Sequence, residues 1–103
     1  MNIPIRKSWG QNFITDKNTI NKIVGIIKPQ KDEKIIEIGP GRGAITMPLL
    51  DRVQSITAIE IDPLLVQYLE EKNKSNLIIE NIDFMDWMPS FKNKRRVVGN
   101  LPY

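Results

Sequence analysis

The residues best suited to chemistry are a glycine loop and an acid that follows it about 20 positions later. Gly39, Gly41 and Ala44 come directly after a β-branched run, and Glu60 stands near the end of the next such run. Glycines there let the backbone turn sharply and let a ligand lie against it, while a carboxylate accepts hydrogen bonds from ribose hydroxyls. Ile61 offers an apolar surface to a purine ring. Together these residues predict a site for a nucleoside-bearing cofactor.

Two further motifs supply acceptors for an amino group on a base. Asp83 follows the third β-like run, where its carboxylate can accept from an adenine amine. The fourth run ends in the motif Asn100-Leu101-Pro102-Tyr103. The Asn100 amide oxygen and the Leu101 carbonyl, which Pro102 fixes, are two acceptors for a base NH₂ group, and Tyr103 is a flat surface for stacking. This motif therefore predicts a receptor for a target base.

Each motif also has an interpretation without a ligand. Glu60 would then be a solvated strand end, Ile61 an ordinary core residue, and Asp83 and Asn100 turn residues that precede core aromatics. The glycines and the acid also fit the dinucleotide fingerprint of a nicotinamide-dependent oxidoreductase. That class gives no reason for the motif at 100–103.

The composition excludes several other kinds of active site. The 103 residues contain no Cys and no His, which rules out disulfides, thiol nucleophiles, imidazole zinc ligands and a Ser-His-Asp triad. No metal site is predicted. A formal charge of +3 permits a nucleic-acid partner. No apolar run approaches the roughly 20 residues of a membrane span and no secretion signal is seen, so we expect a cytoplasmic protein.

Alternating β-like runs and helical patterns place the motifs on one edge of a sheet. Strands are predicted at 34–38, 55–61, 77–82 and 96–99, and helices at 17–28, in the segment that ends near 51, and at 63–72. Thr15 or Asp16 would cap the first helix and Asp62 the third. Such βαβ units form a parallel sheet, here in the predicted order 3-2-1-4, and ligands bind at the carboxyl ends of its strands. Basic residues at 92–96 precede a strand start and are not predicted to contact a substrate.

Five motifs span nearly the whole chain in a fixed order: GQNF at 10–13, EIGPGRG at 37–43, EID at 60–62, Asp83, and NLPY at 100–103. This order resembles the ribosomal RNA adenine N6,N6-dimethyltransferase family of the small-subunit, kasugamycin-resistance type. The related erythromycin-resistance methyltransferases of the large subunit more typically show GSG and NIPY. The resemblance implies an α/β, Rossmann-like fold of the S-adenosylmethionine (SAM)-dependent methyltransferases, truncated after the fourth parallel strand.

The resemblance also implies two sets of site residues. The implied cofactor-binding residues are Asn12, Ile14, Gly39, Gly41, Glu60, Ile61, Asp83 and Asn100. The implied catalytic residues are Asn100, Leu101, Pro102 and Tyr103. In the first set, the arm residues would line the SAM site and the glycines would contact its methionine and ribose portion. Glu60 would hold the ribose hydroxyls, Ile61 would flank the adenine, and Asp83 would bind the adenine amine.

The family's proteins are considerably longer than 103 residues. The resemblance therefore implies an arm at 1–16 and the N-terminal part of a methyltransferase domain at 17–103, without the rest of the sheet and a helical C-terminal domain. The implied activity is dimethylation of adjacent adenosines near the 3′ end of small-subunit rRNA, by a monomer acting on a pre-30S particle in the cytoplasm. We expect the 103 residues alone to be inactive. A large-subunit methyltransferase and a non-catalytic RNA-binding relative stay open as alternatives.

Overall fold

Strands and helices alternate along the chain in the computed structural model, which describes residues 16–87 and 95–99. The helices are α1 (Lys17–Ile27), α2 (Thr46–Leu50), α3 (Pro63–Glu70) and α4 (Phe84–Trp87). The strands are β1 (Lys34–Ile38), β2 (Ser55–Ile59), β3 (Leu77–Glu80) and β4 (Arg96–Gly99). All three strand pairs are parallel, and the order β3-β2-β1-β4 confirms the prediction. None of the helices in these two described ranges is long and apolar enough to cross a membrane.

The bounds of β1 and β4 agree with the prediction, whereas the other two strands end earlier than predicted. β2 ends at Ile59 rather than at 61, and β3 ends at Glu80 rather than at 82. These last residues pair with each other, so both strands leave the sheet at the same level. The sequence pattern could not reveal this, because Ile61 and Ile82 continue the apolar runs.

Side-chain caps fix where α1 and α3 begin. Asp16 Oδ2 accepts from the backbone N–H of Thr19 at 3.1 Å and from its hydroxyl at 2.7 Å. Asp62 Oδ1 accepts from the Leu64 N–H at 2.9 Å. Each cap provides a partner for an N–H group that has none within its helix. Both agree with the prediction, while the two helices end one and two residues before their predicted ends.

One face of the sheet carries the main hydrophobic core. Ile35 of β1 and its register partner Ile56 of β2 lie on the same face, and both are completely buried. Burying a side chain of this size contributes roughly 2 kcal/mol. They pack with residues of α1, of α2 and of the turn after it: Val24, Leu49, Leu50 and Val53. This layer fixes the two central strands, from which the glycine loop and Glu60 follow.

At the amino end of the sheet, Arg96 joins β4 to the end of α1. Its guanidinium forms an ion pair with Glu33, with one N···O distance of 2.7 Å, and donates to the carbonyls of Ile27 and Lys28. Carbonyls at a helix end have no partner within the helix. The hydrogen bond from Arg96 lowers the pKa of Glu33 below its usual value. Arg96 therefore joins β4 to the end of α1 and to the segment before β1.

Candidate functional site

The loop after β1 is held against the ends of β1 and β2. Gly39 donates its N–H to the Ile59 carbonyl at 2.9 Å. Gly41 has a φ of 60° and Gly43 a φ of 84°, in the left-handed region where other residues are strained. A Cβ atom on Gly43 would lie 3.0 Å from the Leu69 side chain of α3. The loop thus needs glycine both for its backbone conformation and for its close approach to α3.

Glu60 is buried at the same edge, and its carboxylate bridges the two strand ends. It is only 5% exposed. Oε1 accepts from the Gly41 N–H at 3.4 Å, and Oε2 accepts from the Asp62 N–H at 3.0 Å. Burial raises the pKa of Glu60, and these two N–H groups oppose the rise. The interpretation of Glu60 as a solvated strand end is therefore wrong.

A second buried acid, Glu37, lies in β1 two residues before Gly39, and no motif predicted a role for it. It is 4% exposed, and its Oε1 accepts from the Thr46 hydroxyl of α2 at 2.5 Å. Burial raises the pKa of Glu37 to about 7, while the Thr46 hydrogen bond opposes the rise and nearby Glu60 adds to it. The signal in the sequence is an acid inside an otherwise apolar central strand.

Ile61 and Asp83 both lie exposed just past the ends of their strands. Ile61 is 62% exposed, so its interpretation as a core residue is wrong. Asp83 is also exposed, and its Oδ1 accepts from the Met85 N–H at 2.9 Å at the start of α4. This cap matches the ligand-free interpretation of Asp83 as a turn residue. Its binding to an adenine amine stays a prediction.

Asn81, which the sequence analysis missed, ties the end of β3 to the turn after β2. Its side-chain Nδ2 donates to the Glu60 carbonyl at 2.8 Å and to the Ile61 carbonyl at 3.1 Å. Both carbonyls lie beyond the last ladder pair, Ile59 with Glu80. The amide therefore replaces the backbone ladder, which explains why both strands end two residues before the predicted positions. Nothing in the sequence marks this exposed polar residue after a strand.

Six predicted site residues lie outside the described part of the chain, and their roles stay predictions: Asn12, Ile14, Asn100, Leu101, Pro102 and Tyr103. The predicted strand before the last motif is present. Its final residue, Gly99, pairs with Ile38, which directly precedes the glycine loop. Within residues 16–87 and 95–99, no group of three or more acidic side chains is arranged to hold a metal ion.

The parallel sheet, its glycine loop and the acid after β2 define a class: a Rossmann-like α/β fold of the kind found in SAM-dependent methyltransferases. The family model described as "Ribosomal RNA adenine dimethylase" matches residues 2–103. The chain belongs to this family.

Two ribosomal RNA methyltransferases of known name and one solved structure are similar to this chain. Ribosomal RNA small subunit methyltransferase A of Wigglesworthia glossinidia brevipalpis is 50% identical over 110 residues, which cover 100% of this chain and 42% of that protein. The protein of the same name from Legionella pneumophila is 47% identical over 95% of this chain and 40% of its own length. The crystal structure of 23S rRNA methyltransferase ErmE matches with a TM-score of 0.77 at 34% identity, over 89% of this chain and 38% of that one. The chain thus spans about two fifths of these relatives.

Proposed function

We propose that the chain is the cofactor-binding part of a SAM-dependent rRNA adenine N6,N6-dimethyltransferase that acts on adjacent adenosines near the 3′ end of small-subunit rRNA. The observation that carries the proposal is the Glu60 carboxylate, which is buried beside the glycine loop at the carboxyl ends of the strands. The chain is 50% and 47% identical to two proteins named ribosomal RNA small subunit methyltransferase A. These identities favour the small-subunit substrate over the large-subunit alternative.

The described residues fit the nucleoside half of SAM. Each Glu60 oxygen accepts one backbone N–H, at 3.4 Å and 3.0 Å, and a carboxylate oxygen has a second lone pair for a ribose hydroxyl. Ile61 is 62% exposed and offers its apolar surface to the adenine ring. One Asp83 oxygen caps α4, so the other is the acceptor for the adenine amine. The loop at Gly39 and Gly41 takes the methionine and ribose portion, and Asn12 and Ile14 complete the site from the arm at 1–16.

Bound SAM supplies a methyl group that its sulfonium has already activated. The task of the protein is then to hold the adenine N6 in line with that methyl group. We assign Asn100 and the Leu101 carbonyl as acceptors for the N6 hydrogens, which favours a pyramidal and more nucleophilic nitrogen. Pro102 fixes the backbone, and Tyr103 stacks on the flipped base. This arrangement needs neither His nor Cys, and the chain contains neither.

We also propose the context in which the intact protein acts. Its substrate is rRNA within a pre-30S particle, and it works as a monomer in the cytoplasm. Both methyl groups are added in the same site, with an exchange of cofactor between them. The intact protein is used in every experiment on activity, since we do not expect residues 1–103 alone to turn over.

A binding experiment tests the cofactor. SAM and S-adenosylhomocysteine are expected to raise the melting temperature of the intact protein, and NAD is expected to leave it unchanged. Glu60→Gln should weaken binding of S-adenosylhomocysteine roughly tenfold, because an amide NH₂ would face one of the two backbone N–H donors. Glu80→Gln is the matched control, since this exposed acid ends the neighbouring strand. Stabilisation by NAD alone would contradict the proposal and favour the oxidoreductase.

A methylation experiment tests the substrate. Small-subunit particles that lack the dimethylated adenosines should be methylated by the intact protein, and large-subunit RNA should not. Asn100→Ala should abolish methylation but weaken binding of S-adenosylhomocysteine only modestly, since we assign Asn100 to both the cofactor and the target base. Normal methylation by this variant would show that the role assigned to Asn100 is wrong. Binding without any methylation of either RNA would instead favour the non-catalytic relative.

A further inference from the structure

The side-chain amide nitrogen of Asn81 donates to two carbonyls of the turn that carries Glu60 and Ile61. Nδ2 lies 2.8 Å from the Glu60 carbonyl oxygen and 3.1 Å from the Ile61 carbonyl oxygen. The opposite orientation of the amide would place its oxygen against two acceptors, so the two carbonyls fix which way the group faces. An exposed Asn has water as an alternative partner. Here Asn81 instead donates to two consecutive carbonyls of the turn after β2.

The Glu60 peptide is consequently held on both sides by the end of β3. Its N–H donates to the Glu80 carbonyl at 3.0 Å, and its own carbonyl accepts from Asn81. The Glu60 side chain then extends to the N–H groups of Gly41 and Asp62. The position of the carboxylate thus depends on a backbone that Asn81 helps to fix. The same amide holds the Ile61 carbonyl, next to the side chain assigned to flank the adenine.

We infer that Asn81 is a positioning residue for the cofactor: it holds the turn in which Glu60 meets the ribose hydroxyls and Ile61 meets the adenine ring. This inference rests on the proposed function of those two residues. Asn81 does not touch the ribose in this role. Without its amide, the turn gains freedom, and binding must then order it again, which weakens affinity without changing the methyl-transfer step.

The chain offers a matched control at the other end of the same strand. Asn76 precedes β3, and its Nδ2 donates to the Leu50 carbonyl at 3.1 Å. Asn76 and Asn81 are therefore the same residue type making the same kind of hydrogen bond, and only Asn81 lies at the cofactor end. A purely structural role predicts the same behaviour for both. A positioning role predicts a loss of cofactor affinity for Asn81 alone.

The experiment measures binding of S-adenosylhomocysteine and of its 2′-deoxy analogue to the intact protein by calorimetry. Asn81→Asp keeps the shape and removes the donors, and Asn81→Ala serves if the first variant does not fold. We expect either variant to weaken the binding of S-adenosylhomocysteine roughly tenfold. The affinity of Asn76→Asp should stay within about twofold of wild type. KM for SAM should rise and kcat should stay unchanged. Asn81→Gln, which keeps two donors, should recover part of the affinity.

The 2′-deoxy analogue separates positioning from general destabilisation. In the wild type and in Asn76→Asp, loss of the 2′-hydroxyl should weaken binding roughly tenfold. In Asn81→Asp this penalty should shrink to about twofold, because the Glu60 carboxylate is no longer held in place to accept from the 2′-hydroxyl. An equal penalty in all three proteins overturns the inference. If the wild type shows no penalty and Glu60→Gln has no effect on binding, the proposed function of Glu60 itself is wrong, and the inference falls with it.

Discussion

At the amino end of the sheet, Glu33 is partly exposed and pairs with Arg96. At the carboxyl end, Glu37 and Glu60 are buried and accept from a hydroxyl and from backbone N–H groups. The pKa of Glu33 is lowered by its hydrogen bond with Arg96, whereas burial raises the pKa values of the other two. An ionised Glu33 thus favours the fold. Ionised Glu37 and Glu60 oppose it, because burial disfavours the charged form of both carboxyl groups. At neutral pH the ionised acid at the amino end thus stabilises the fold, whereas ionisation of the acids at the carboxyl end, where we propose the cofactor binds, costs stability.

The largest effect in this comparison is expected for Glu37→Gln. The folded state holds a proton on Glu37 up to about pH 7, whereas the unfolded value is 4.5, so the free energy of unfolding falls as pH rises through this window. Gln stays neutral and still offers an oxygen to the Thr46 hydroxyl. The variant should be more stable than wild type at about pH 8, by up to about 3 kcal/mol, and equally stable below about pH 4. Urea denaturation across this pH range measures it.

Glu33→Gln tests the opposite pH dependence at the other end of the sheet. Because the folded pKa of Glu33 is lowered, its stabilising contribution is present above 4.5 and disappears as pH falls through the lowered value. The variant should lose about 1 kcal/mol near neutral pH and nothing in acid. If both variants changed stability by amounts independent of pH, the contrast between the two ends would be wrong.

The next effect concerns the glycine loop. Gly43→Ala places a Cβ 3.0 Å from Leu69 at a φ of 84° and should destabilise the protein by about 2 kcal/mol. Gly25→Ala is the control, because a Cβ there meets no atom within 4 Å. It should stabilise α1 by about 0.5–1 kcal/mol. Thermal denaturation of both variants measures the difference, and equal melting temperatures would show that the loop does not need glycine at this position.

An effect as small as that of Glu33→Gln is expected for Arg96→Met, which breaks the same ion pair. The guanidinium is exposed, so loss of its ion pair and of its hydrogen bonds to the end of α1 should cost about 1 kcal/mol, and less at high salt. Arg95→Met, one residue earlier, should stay within about 0.5 kcal/mol of wild type. Neither variant should alter the binding of S-adenosylhomocysteine. Weaker binding of S-adenosylhomocysteine by Arg96→Met alone would show that the two ends of the sheet are energetically coupled. That result would contradict the comparison.

Local patterns were enough to predict much of the fold. The β-branched runs predicted β1 and β4 to the residue, and Asp62 marked the start of α3. The ends of β2 and β3 were predicted two residues too late, because the side-chain amide of Asn81, just after β3, replaces the ladder there. Contacts of this kind depend on tertiary structure and leave no local pattern.

The candidate site shows the same limit. Motifs marked the glycines, Glu60, Ile61 and Asp83, and the structure adds that Glu60 is buried and Ile61 exposed. The motifs did not predict two hydrogen bonds near these residues. One joins Thr46 to Glu37, and the other joins Asn81 to the turn after β2. The acid within β1 could have been noticed from its apolar neighbours. Asn81 could not, because its role follows only from which carbonyls it meets.

The strand order also sets the sequence in which the molecule can be assembled during synthesis. β1 pairs with β2 on one side and with β4 on the other, and Arg96 and Glu33, which join β4 to the segment before β1, are 63 positions apart. The ribosome makes β1, β2 and β3 first, and one edge of β1 has no partner until residues 96–99 emerge. The segment that closes this edge is the one that leads directly into the proposed base receptor. Pairing along this edge of β1 and the placement of the proposed receptor therefore depend on the same four-residue strand.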